Sequence, residues 1–217
     1  MFNRHGRGLL LLSGGFDSPV AGHLMKNQGL EIEAIHFSLE PVTDNAAEKK
    51  CKELARLLKM DRIFVAKVGD AFARIAAKCS RRLYFVLSKR FMVRMAEKVA
   101  MNEGCDFLVT GENLGQVSSQ TLQNLTVIDS AARLPILRPL LGFDKDEIIA
   151  ISRECGMYDI SKGPEICDVL GPGEPATAST LHVVLEEEAR LDYEAMMNTA
   201  MKGLREHRIP PSKQEAQ

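Results

Sequence analysis

Ser13-Gly14-Gly15-Phe16-Asp17-Ser18 is the stretch whose residue types and spacing come nearest to chemistry. It lies between four consecutive leucines, Leu9–Leu12, and a segment opening with Pro19, a residue favoured in a first helical turn. Gly14 and Gly15 let the backbone turn tightly and bring its N–H groups close to a ligand. A helix starting there aims its dipole and unpaired amides at the same spot, which favours an anion. Ser13 and Ser18 add hydroxyl donors. Asp17 can hold a cation such as Mg²⁺ beside phosphates, compensating charge at a transferring phosphorus. The Walker A lysine is missing and the spacing is not G-x-G-x-x-G, so both the kinase/GTPase loop and the dinucleotide fingerprint are disfavoured.

Sulfur is the second source of chemistry. The five cysteines (Cys51, Cys79, Cys105, Cys155 and Cys167) include no C-x-x-C and no Cys/His pair at zinc spacing. In a reducing compartment they are thiols, and most should be small core residues. Cys51 and Cys155 fall within helix patterns, Cys105 immediately precedes a strand, and Cys79 abuts a basic segment. Cys167 instead lies in the Gly/Pro-rich loop Gly163–Pro175, where a thiol can be exposed and can move. Glu165 and Asp168 beside it oppose thiolate formation, so activating cations must come from elsewhere.

The elements that must position these groups alternate. Leu9–Leu12 reads as a strand buried on both faces, followed by a helix up to Gly29, and Glu31–Ser38 as a second strand. Asn45–Met60 is helical, Arg62–Val68 a third strand, and Asp70 a candidate cap for the helix after it. A long helix over Arg82–Glu103, strands at Asp106–Thr110 and Leu134–Leu137, and a helix over Asp144–Cys155 with a capping box of Asp144 and Glu147 complete the pattern. Thr180–His207 reads as one C-terminal helix ahead of a polar tail, usable as a homodimer or partner surface. This order implies an α/β, Rossmann-like, doubly wound and mostly parallel sheet. Its ligands belong at the carboxyl ends of the strands, so the Ser13, His36 and Gly111 regions should converge.

Composition sets the limits. The 217 residues, 45% hydrophobic and 26% charged with net charge −1, describe a folded globular chain and exclude intrinsic disorder. No apolar run approaches the about 20 residues of a membrane helix, and MFNRHGRGLLLLSGG does not fit a secretory signal, so no membrane role and a cytoplasmic setting are expected. Charge is uneven. Arg74–Lys98 carries eight Lys/Arg against Glu97 alone, and Glu186–Glu194 five acids against one Arg. The basic stretch is either a phosphate-holding surface or a solvated helix face.

At the S-G-G-F-D-S loop the chain resembles the PP-loop ATP pyrophosphatases, which cleave ATP between the α- and β-phosphates. The block from Thr110 to Leu122 (TGENLGQVSSQTL) narrows this to the tRNA 4-thiouridine synthase family (ThiI). Leu137-Arg138-Pro139-Leu140 with Asp144–Ile149 (DKDEII), and Pro164-Glu165-Ile166-Cys167, are similar to two further segments of that family. The resemblance spans roughly four fifths of the chain, within a domain of residues 1–178 ahead of the 179–217 helix and tail.

The resemblance implies binding of ATP and Mg²⁺, adenylation of O4 of a tRNA uridine (uridine 8 in that family), and replacement of that oxygen by sulfur from a cysteine persulfide. It places Leu11, Leu12, Ser13, Gly14, Gly15, Asp17 and Ser18 at the phosphates and His36 and Phe37 beside the adenine. Lys89, Gly111 and Gln120 match further ATP-contacting positions, and Cys167 the catalytic cysteine. Cys79 is a candidate for an in-chain disulfide partner, an external reductant or second persulfide being the alternative. Most relatives carry THUMP regions that grip tRNA, and some a rhodanese domain, neither of which is present in these residues. The expected partners are therefore a THUMP-containing RNA-binding subunit and a cysteine desulfurase or other persulfide donor. Sulfur transfer in thiamine-thiazole synthesis, another small-molecule adenylation, and a non-catalytic nucleotide-binding subunit are the alternatives.

Overall fold

The structure is a computed structural model that describes residues 6–114, 120–163 and 169–210. Its centre is β1 (Arg7–Leu11). Leu9 and Leu10 are both fully buried and face opposite helical layers, as an apolar run without alternation requires of a strand covered on two sides. Then follow α1 (Asp17–Asn27), β2 (Glu31–Ser38), α2 (Ala46–Leu57), β3 (Arg62–Lys67) and α3 (Gly69–Lys78). A 3₁₀ turn at Arg81–Leu83 leads into α4 (Tyr84–Asn102), β4 (Phe107–Val109), α5 (Leu122–Asp129) and β5 (Ile136–Leu137). Next come α6 (Lys145–Glu154), α7 (Tyr158–Ser161), α8 (Leu181–Glu188), α9 (Tyr193–Lys202) and β6 (Arg205–Arg208).

The sheet order is β5-β4-β1-β2-β3-β6, parallel except for β6, which runs antiparallel to β3. The chain leaves β1 toward β2 and β3 and later returns to its other side with β4, which makes the end of β1 the topological switch point where doubly wound sheets open a crevice. One layer packs α1, α2 and α6 on the sheet through Val20, Leu54 and Ile148; the other packs α3, α4, α5, α8 and α9 through Phe72, Phe91, Leu125, Val184 and Met196. The expected doubly wound, mostly parallel α/β fold is therefore present.

Two local expectations need correction. Thr180–His207 is two helices and a strand. Asp192 restarts the chain as the N-cap of α9, its Oδ1 accepting the Ala195 N–H at 3.2 Å, and β6 pairs with the open edge of β3. Asp70 caps nothing: α3 starts at Gly69, leaving Asp70 within the first turn, where only its charge complements the helix dipole. Helix α5 carried no expectation; Thr121 caps it, Oγ1 accepting the Asn124 N–H at 3.2 Å. The capping box of α6 is as expected, with reciprocal 2.8 Å bonds between Asp144 and Glu147.

Candidate active site

A cavity of about 440 Å³ opens at the carboxyl ends of β1, β2 and β4. Leu11, Leu12, Ser13, Gly14, Gly15, Asp17, Ser18, His36, Phe37, Lys89, Gly111 and Gln120 all line it. The parallel strands explain the convergence, because each delivers its following loop to the same end of the sheet.

The loop after β1 holds its own shape. Ser18 Oγ accepts the Ser13 N–H at 2.7 Å and lies 3.0 Å from Ser13 Oγ, so the two hydroxyls close the loop on itself rather than standing free for a ligand. Helix α1 begins behind it with no side-chain cap, so its first-turn amides keep their pull on an anion. Gly111, just past β4, touches this loop from the other side: a Cβ there would sit 2.5 Å from Ser18 N and 2.6 Å from Asp17 C.

Asp17 is not a free carboxylate. Lys145, at the first position of α6, donates to Asp17 Oδ1 at 2.8 Å, and its ammonium also lies 5.7 Å from the centre of the Phe16 ring. Lys89 donates to Glu112 Oε1 at 2.8 Å, while Arg138 and Thr110 donate to Glu112 Oε2 at 2.8 and 3.2 Å. Burial alone would raise the Glu112 carboxyl, but Lys89 and Arg138 overcome it and hold the group down at about 2. Lys50 of α2 lies against Gly14 and donates to the Lys162 carbonyl at 3.0 Å. Sequence reading singled out none of Lys145, Glu112 and Lys50. Glu112 had a signal, its place directly after Gly111 at a strand end, and Lys145 lies in the DKDEII segment; Lys50 had none.

His36 is buried, and burial lowers its pKa, which favours the neutral ring. Nδ1 lies 3.1 Å from the Leu12 carbonyl and 3.2 Å from Cys51 Sγ. The Gln120 Oε1 accepts the Asn113 N–H at 2.9 Å. Among the described residues no group of three or more His, Cys, Asp or Glu could hold a metal. A phosphate-bound Mg²⁺ ion beside the loop after β1 would meet Asp17 in competition with Lys145.

The sulfur expectations divide. Cys167, with its neighbours Glu165 and Asp168, lies outside the described residues. Cys79 is a poor disulfide partner. It is buried under α8, its thiol directed at the Glu187 carbonyl at 3.4 Å and raised in pKa by burial and then by Glu187, and it lines no part of the cavity. The basic segment is also partly used up: Arg90 and Arg94 both bind Glu188, while Arg74, Lys78, Arg81, Arg82 and Lys98 are exposed.

The family described as Thiamine biosynthesis protein (ThiI) matches residues 3–193. The chain belongs to the ThiI family. Among ThiI relatives, a "Probable tRNA sulfurtransferase" of Alkaliphilus oremlandii is 40% identical over 211 residues, covering 94% of this chain and 54% of the relative. One of Thermus thermophilus with the same description is 41% identical over 203 residues, covering 91% and 50%. The chain thus spans about half the length of the curated relatives it matches. A solved "4-thiouridine synthetase - RNA complex with bound ATP" superposes with a TM-score of 0.90 at 34% identity, covering 94% of this chain and 55% of that one.

Proposed function

We propose that this ThiI-family chain is the ATP-using part of a tRNA sulfurtransferase. The observation that carries the reading is the convergence of twelve residues, matched one by one to the family's nucleotide positions, on one cavity at the switch point of the sheet. The similarity to tRNA sulfurtransferases and to an ATP-bound 4-thiouridine synthetase supports the same chemistry. Phosphates lie on the Ser13–Ser18 loop at the start of α1, and the adenine lies against Leu12, His36 and Phe37. The uridine O4 displaces pyrophosphate from the α-phosphorus, a persulfide sulfur on Cys167 then attacks C4, and AMP leaves; a second thiol, from another cysteine or an external reductant, attacks the Cys167 Sγ, so that the S–S bond to the transferred sulfur breaks, a disulfide forms and the 4-thiouridine is released. Lys145 and Lys89 supply positive charge at the phosphate end, with Asp17 and Glu112 fixing where each sits. Asp17 would hold a phosphate-bound Mg²⁺ ion, which would supply further charge neutralisation on the phosphate oxygens. A THUMP-containing partner grips the RNA, the exposed Arg74, Lys78, Arg81, Arg82 and Lys98 add phosphate contacts, and a cysteine desulfurase or similar donor loads the persulfide.

The family's description favours one second reading, sulfur transfer in thiamine-thiazole synthesis. Labelled ATP incubated with and without tRNA, with a THUMP-containing RNA-binding protein and a cysteine desulfurase as persulfide donor present throughout, separates the two. The tRNA reading expects AMP release and 4-thiouridine only with tRNA, with Asp17→Asn lowering AMP release by on the order of 100-fold. It expects Cys167→Ser to abolish thiolation while adenylation persists. AMP formation indifferent to tRNA, together with thiolation untouched in Cys167→Ser, overturns it. Tight ATP binding with no AMP or pyrophosphate release under any condition indicates a non-catalytic nucleotide-binding subunit.

A further inference from the structure

The charged side chains around the cavity do not pair off evenly. Its described lining carries the carboxylates of Asp17, Asp44 and Glu112 and the ammonium groups of Lys50 and Lys89. Glu112 takes Lys89 and Arg138, and Asp17 takes Lys145 from α6. Asp44 turns Oδ1 to the Ala46 N–H at 3.0 Å. Lys50 is left over. Among the described residues no carboxylate pairs with it, and its hydrogen-bond acceptor is the neutral carbonyl of Lys162 at 3.0 Å. An ammonium carries three N–H donors, so a single carbonyl leaves donors unused and compensates none of the charge.

The surroundings hold that charge against the loop after β1. Lys50 follows Ala46 and Ala47 by one turn of α2, and all three line the cavity. Its stem runs over Gly14, where a Cβ would lie 3.3 Å from Lys50 Cδ and 3.5 Å from Lys50 Cβ. Gly163 closes on the tip, its own Cβ position lying 3.2 Å from Nζ. The side chain is therefore half-buried between two glycines rather than ranging through solvent, which reduces the rotamer entropy it loses when a ligand arrives.

The nucleotide reading puts the phosphates on this loop, whose Ser13 and Ser18 hydroxyls are already engaged with each other at 3.0 Å. Lys89 and Lys145 each come with a carboxylate attached, so neither pair adds much net positive charge. ATP carries most of its negative charge on the β- and γ-phosphates, and Lys50 is the lining cation whose charge is uncompensated. We propose that Lys50 is the binding residue for the pyrophosphate portion of ATP, its free N–H donors meeting β- and γ-phosphate oxygens as charge-assisted hydrogen bonds. This assignment rests on the ATP-using reading given above.

Lys50→Met in the full chain tests it, with ATP, AMP and inorganic pyrophosphate as separate calorimetric probes. The Kd values for ATP and pyrophosphate are each expected to rise on the order of tenfold, while that for AMP stays within about twofold of wild type. Lys50→Arg, which keeps the charge, is expected to recover most of the lost affinity. The melting temperature of both variants is expected to match wild type, since the hydrogen bond removed is exposed. A role confined to tying α2 to Lys162 would instead lower the melting temperature and weaken all three ligands alike, which overturns the assignment. So does AMP weakened as much as ATP, which moves Lys50 to the α-phosphate. Wild-type protein that binds neither ATP nor pyrophosphate overturns the nucleotide reading and this assignment with it. Wild-type binding of both, with an unaltered Lys50→Met profile, overturns the assignment alone.

Discussion

Glu112 concentrates the charge of the site in one residue. Its carboxylate is buried and meets a lysine, an arginine and a hydroxyl drawn from α4, the β5–α6 connection and the end of β4. Because its folded pKa of about 2 lies below the ordinary 4.5, the group stabilises the fold fully above about pH 4.5. That contribution is lost as pH falls from there toward 2. A gap of this size is worth roughly 3 kcal/mol. Glu112→Gln is expected to lose about that much at pH 7 and to show a flatter dependence of the urea midpoint between pH 5 and 3 than wild type. Parallel urea titrations across that range check both the size and the sign.

Between elements, the decisive feature is how closely the loop after β4 approaches the start of α1. The atoms that a Cβ at Gly111 would strike belong to the backbone of Asp17 and Ser18, which cannot rotate away like the end of a side chain. Gly111→Ala must therefore push the Ser13–Ser18 loop from its place. The expected outcome is a loss of about 1–3 kcal/mol in stability and a clear weakening of ATP binding, read by denaturation and calorimetry. Gly142→Ala, in the turn ahead of α6, meets nothing within 4 Å and is expected to change neither.

Across the molecule, the acidic and basic stretches that look separate in the chain close on one another. Arg90 is 1% exposed and bound to Glu188, which also takes Arg94 through two 2.9 Å bonds; this pins α8 to the middle of α4. Asn124 holds the Ala176 carbonyl and Ser179 hydroxyl, fixing the approach to α8 from the α5 side. Glu188→Gln leaves a buried guanidinium without its counter-charge, so a loss of about 3–5 kcal/mol is expected from denaturant unfolding. ATP affinity measured well below the unfolding midpoint should be unchanged, since neither residue lines the cavity.

The chain alone determined the alternating strands and helices of a doubly wound fold and which loops meet at the strand ends, because each of these is written locally. Leu9–Leu12 has no alternation and must be covered on both sides, the glycines follow it at once, and parallel strands gather their loops at one end. Tertiary structure alone decided the partners. Asp17 and Lys145 are 128 residues apart, and no spacing rule links a loop carboxylate to a lysine opening a distant helix. The same holds for Glu112 with Lys89 and Arg138, and for which cations of Arg74–Lys98 stay exposed. It holds for the C-terminus too. Apolar residues at helical spacing tell which face is buried, but whether the chain turns between helices and ends as a strand depends on the unpaired edge that β3 offers it.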